Sequence, residues 1–138
     1  MVKLITGNKG SGKTKKLIEQ ANIAIENSKG NVVLIEKGNH MKYDINHRAR
    51  LIDINHYNVT GFNAFYGFIA GICAGNYDVT DILIDGTLKI GGRDFDELTS
   101  FLNQIQVLAK DDDVNVTLSV SADDQELPAS IFEFAQKA

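Results

Sequence analysis

Eight consecutive residues, Gly7-Asn8-Lys9-Gly10-Ser11-Gly12-Lys13-Thr14, match the phosphate-binding pattern G-x-x-x-x-G-K-S/T at every fixed position. The chemistry of such a stretch is anion binding. Gly7, Gly10 and Gly12 let the backbone turn tightly and bring its N–H groups against phosphate oxygens. Lys13 is expected to reach the β- and γ-phosphates of a nucleoside triphosphate, and the Thr14 hydroxyl to hold Mg²⁺. The whole of Gly7 to Thr14 is therefore the candidate nucleotide-binding loop.

A loop of this kind works only between a strand and a helix, because the helix N-terminus adds free N–H groups and a positive dipole end. Val2-Lys3-Leu4-Ile5-Thr6 is a short apolar strand candidate just before it. Lys15 to Asn27 is a helix candidate just after it, with Leu17, Ile18, Ala21, Ala24 and Ile25 on one face. Over residues 2–27 the chain resembles the P-loop NTPase superfamily. Its loop character is most similar to RecA-like and pilus-retraction ATPases, a likeness that rests on the loop and carries over no role in pilus motion or strand exchange.

Strand and helix signals alternate through the rest of the chain. Val32-Val33-Leu34-Ile35 is a continuous β-branched and apolar run, as expected of a strand covered on both faces. Leu51 to Ile54 is a weaker strand candidate, Phe62 to Ala74 a buried helix, and Ile82-Leu83-Ile84 a strand. Asp94 and Glu97 form a capping-box pattern ahead of a helix carrying Leu98, Phe101, Leu102, Ile105 and Leu108. Val114 to Val120 is the last strong strand, and Pro128 opens a terminal helix. The pattern predicts one α/β domain over residues 1–138, a three-layer P-loop NTPase fold with a mostly parallel, roughly five-stranded central sheet.

The resemblance implies a carboxylate on a neighbouring strand to complete the magnesium site. Asp85 ends the apolar run Ile82-Leu83-Ile84, where the family's Walker B aspartate stands. Many ATPases place a water-polarising glutamate directly after it, but here that residue is Gly86. Glu36, which ends the second strand 22 residues after Thr14, is the candidate replacement base, with Asp44 and Asp53 as weaker ones. Ser119 and Ser121, at the end of the last strand, are candidate γ-phosphate sensors. Arg93 is a candidate arginine finger towards a neighbouring subunit. No guanine-reading Asn-Lys-x-Asp pattern is present, so ATP with Mg is the expected cofactor.

The remaining features bound the function. A net charge of −4 disfavours a general nucleic-acid binder, and the lysines at 9, 13, 15 and 16 are already explained by triphosphate binding. The single cysteine, Cys73, excludes an intrachain disulfide and lies in an apolar run, so it reads as a core thiol. His40, His47 and His56 are too far apart for a zinc site. No apolar run is long enough to span a bilayer, and no signal-peptide pattern opens the chain, so a cytoplasmic location is expected. Gly67, Gly71 and Gly75 recur every four residues and would line one helix stripe, expected to pack on the sheet, with a subunit interface as the alternative. A homo-oligomer or a protein partner remains open.

These residues predict a Mg-dependent ATP-binding protein that hydrolyses ATP slowly. A nucleoside-kinase-like phosphotransferase and a non-hydrolysing nucleotide-gated binding module are the two alternatives.

Overall fold

The computed structural model describes residues 1–138. Six strands form one sheet: β1 (Val2–Thr6), β2 (Asn31–Glu36), β3 (Arg50–Asp53), β4 (Val79–Ile84), β5 (Asn115–Val120) and β6 (Gln136–Lys137). Their order across the sheet is β3-β2-β4-β5-β1-β6. Each of the five pairings is parallel. Helices α1 (Lys13–Asn27), α2 (Phe62–Gly75), α3 (Thr87–Gly91) and α4 (Phe95–Asp112) lie between the strands in sequence.

The apolar runs explain the burial. Successive strand residues point to opposite faces, so a strand apolar at every position feeds two cores. Val33 and Ile35 of β2, with Ile82 and Ile84 of β4, join the larger core, which holds Phe65 of α2 and Phe101 of α4. The intervening Val32, Leu34 and Leu83 join the smaller core, with Leu17, Ala21 and Ile25 of α1. Helices therefore cover both faces of the sheet. The rings of Phe65 and Phe101 stack at 5.2 Å and fix α2 against α4.

Asp94 caps α4 by accepting from the backbone N–H groups of Asp96 and Glu97, the forward half of the expected capping box. Cys73 is buried on α2, and burial pushes its thiol pKa up, as expected of a core residue. No helix is long and apolar enough to cross a membrane.

Two expectations are corrected. The terminal helix from Pro128 is a short 3₁₀ segment, Ala129–Glu133, and it is followed by the unforeseen sixth strand. β6 pairs only with Lys3 and Leu4. Asp124 ties it in place, accepting from the Thr6 hydroxyl and pairing with Lys137. A two-residue strand is defined by its partner rather than by its own pattern. The glycine stripe of α2 does not face the sheet. Gly67, Gly71 and Gly75 are exposed, with no atom within 4 Å of where a β-carbon would sit. The helix instead buries Phe62, Phe65, Ile69 and Cys73, whose side chains gain far more from leaving water than a glycine can.

Candidate functional site

The loop joins the C-terminal end of β1 to α1, at the carboxyl ends of the parallel strands, where ligands of open α/β proteins bind. The Gly7 N–H donates to the carbonyl of Ala122 at 3.0 Å, tying the loop to the segment after β5. A β-carbon at Gly7 would lie 2.5 Å from the Ser11 hydroxyl oxygen, so the turn closes only around glycine. Gly12 sits in the left-handed region at φ 85° and ψ 19°, which costs a residue with a side chain about 1 kcal/mol or more. α1 starts at once, with no acidic residue in its first turn, so its positive end is uncompensated.

Lys13 folds back over the loop. It is only 9% exposed, and its Nζ donates to the Asn8 carbonyl at 2.9 Å and to the Ser11 hydroxyl at 3.5 Å. Burial pulls its pKa below the ordinary 10.5, the Asp85 carboxylate opposes that shift, and the charge of Lys89 adds to it.

Asp85 follows β4 directly and is held from two sides. The Thr14 hydroxyl donates to its carboxylate at 3.4 and 3.3 Å. The Ser119 hydroxyl, buried on β5, donates to Asp85 Oδ1 at 2.8 Å and accepts from the Gly86 N–H at 2.9 Å. The strand between β1 and β4 thus fixes the orientation of the carboxylate.

These groups line one cavity of about 790 Å³. Lys9, Gly10, Gly12, Lys13 and Thr14 come from the loop, Asp85, Gly86, Leu88, Lys89 and Arg93 from the chain after β4, and Ser119 and Ser121 from the end of β5. Gly7, Asn8 and Ser11 shape the loop without lining the cavity. Four cationic side chains face one carboxylate, so the cavity suits an anion although the chain as a whole is acidic.

Thr14 and Asp85 offer hard oxygen donors, the set that suits Mg²⁺. No group of three or more His, Cys, Asp or Glu side chains is placed to hold a metal.

Glu36 is not brought to this cavity. It is 2% exposed at the end of β2, and its two carboxylate oxygens accept from the backbone N–H groups of His40 at 2.9 Å and Met41 at 3.1 Å. Its placement fits a clamp on the loop after β2 rather than a water-activating base. Asp53 is likewise committed, to the N–H groups of Gly38 and Asn55. Glu36→Ala leaves two donors without their acceptor and is expected to cost ~3 kcal/mol of stability in denaturant unfolding, with Glu36→Gln costing less. A Glu36→Gln variant of unchanged stability that has lost turnover would return Glu36 to the chemistry.

Arg93 also differs from expectation. It lines its own chain's cavity, and its Nη1 donates to the Ser121 carbonyl at 3.3 Å. Lys89 escaped the sequence reading altogether. The signal was its position three residues after Gly86, the N-cap residue of α3, whose first turn brings Lys89 back over Gly86. Beside it, Thr87 is fully buried, and its hydroxyl is the one buried side-chain polar atom without a hydrogen-bond partner. Thr87→Val removes that cost and is expected to raise stability by ~1 kcal/mol in thermal or denaturant unfolding; a loss of stability would show that the hydroxyl is satisfied in solution.

Comparison with known proteins gives no match to any protein-family model and none to a curated protein.

Proposed function

We propose that the chain binds Mg·ATP at the Gly7–Thr14 loop and hydrolyses it slowly, within a three-layer P-loop NTPase arrangement. One observation carries the reading: Lys13 and Thr14 of the loop and Asp85, 71 residues beyond Thr14, line one cavity whose cations outnumber its carboxylates four to one. The loop backbone and the start of α1 receive the phosphates. Lys13 neutralises charge towards the terminal phosphates, and its displacement from Asn8 and Ser11 accompanies binding. Thr14 and Asp85 would hold a magnesium ion, which would supply positive charge against the phosphates of the nucleotide. Ser119 keeps Asp85 aimed at that position.

A second reading is favoured by the lining itself. Asp85 is the one carboxylate there, and Gly86 stands where a water-polarising glutamate would be. A site without a second carboxylate holds the nucleotide but activates water poorly, which suits a nucleotide-gated binding module. Phosphate release from ATP with Mg²⁺ present separates the two. Slow turnover that Lys13→Ala abolishes supports hydrolysis. Tight binding with turnover at background supports the binding module, and turnover that needs an added nucleoside acceptor supports a kinase.

A further inference from the structure

Two of the four cavity cations come from outside the loop. Lys89 lies on α3, and its stem folds back over Gly86, so that its Cδ is 3.4 Å from where a β-carbon of Gly86 would sit. Arg93 follows α3 and reaches across to the Ser121 carbonyl at the end of β5. Its guanidinium carbon also lies 5.7 Å from the centre of the Phe95 ring, which steadies it from behind. Both side chains are exposed. Neither has a carboxylate within ion-pair distance, since Lys137–Asp124 is the one ion pair in the chain.

We propose that Lys89 and Arg93 form a clamp, supplied by the same chain, that engages the terminal phosphate and makes the site prefer a nucleoside triphosphate to the diphosphate. The inference rests on the nucleotide reading of the cavity.

The division of the lining supports it. Lys9 and Lys13 belong to the loop, whose backbone meets the phosphates that a di- and a triphosphate share, with Lys13 alone reaching on towards the terminal one. Lys89 and Arg93 belong to the segment that follows Asp85 and line the same cavity. A terminal phosphate adds negative charge and three acceptor oxygens, and the planar fork of arginine matches such oxygens two at a time. Arg93 spends one nitrogen on Ser121 and keeps the rest of its donors free. Lys13 and Lys89 line the same cavity, so an anion bound there meets both charges. The backbone that carries Lys89 is anchored as well. Lys37, just after β2, donates to the Lys89 carbonyl at 3.2 Å. The clamp is thus complete within one subunit, unlike an arginine offered to a neighbour.

The test is calorimetric titration of ATP and ADP, with Mg²⁺, into wild type, Lys89→Ala and Arg93→Ala, with thermal unfolding as the folding control. Each variant is expected to weaken ATP binding about tenfold and ADP binding less than about twofold, so that the preference for triphosphate collapses. Arg93→Lys should restore part of that preference. Equal loss of both affinities, or an unchanged ratio, overturns the clamp and leaves the nucleotide site standing. A wild type that binds neither nucleotide overturns both.

Discussion

Lys13→Ala is expected to weaken Mg·ATP binding by about 100-fold or more, ~2.7 kcal/mol, while leaving the protein at least as stable as wild type. The two effects have one cause. Lys13 is a cation held in a buried position where its pKa is lowered, so the fold carries a charge it would rather release. In the absence of ligand that charge is a burden on stability below the lowered pKa. The burden lifts as pH rises towards the unfolded value of 10.5, since the unfolded chain then binds more protons than the folded one. Phosphates reverse the balance by pairing with the charged form. Wild-type affinity for ATP should therefore fall as pH climbs through the lowered pKa of Lys13, with protons taken up on binding in that range, and Lys13→Ala should lose the dependence. Titrations in buffers of different ionisation enthalpy measure this uptake. An affinity unchanged in Lys13→Ala would remove Lys13 from the site.

The second large effect falls on Asp85. Asp85→Asn keeps an oxygen for the Ser119 hydroxyl but removes the negative charge beside Thr14. It is expected to lower Mg-dependent turnover by about 100-fold or more, with ATP binding in the absence of metal unchanged or stronger because one anion has left the phosphate cavity. Asp85→Ala should do the same and lose stability as well, because it leaves the buried Ser119 hydroxyl without its acceptor. If Asp85→Asn binds and turns over Mg·ATP as wild type does, the metal role belongs elsewhere.

The parts of the molecule legible in the sequence are those whose residues carry their own constraint. β1 runs over Val2–Thr6 as its apolar run predicts, and the loop glycines mark positive-φ turns that a side chain would strain. Val32 to Ile35, apolar at every position, could only be a strand buried on both faces. Asp85 stands out in the sequence because it ends such a run, and the structure places it directly after β4.

What stayed hidden depends on partners. Gln136 and Lys137 form a strand only because Lys3 and Leu4 present an open edge. The five residues of Thr87–Gly91 are too few to show a helical period, so α3 and Lys89 with it went unseen. Glu36 sits at a strand end, where a carboxylate can serve either a ligand or the chain itself. The turn at Gly38, with φ at 110°, brings the N–H groups of His40 and Met41 to it, and no spacing rule reveals that turn. The glycine stripe of α2 had correct periodicity, but the opposite face held the larger side chains and took the core.

The most direct test is titration of purified wild type with ATP in the presence and absence of Mg²⁺, alongside Lys13→Ala. Saturable binding at one site per chain, strengthened by Mg²⁺ and lost in Lys13→Ala, is the predicted result. A wild type that binds no nucleotide under either condition, or a Lys13→Ala variant that binds as tightly, would contradict the assignment of the Gly7–Thr14 loop as a nucleotide site.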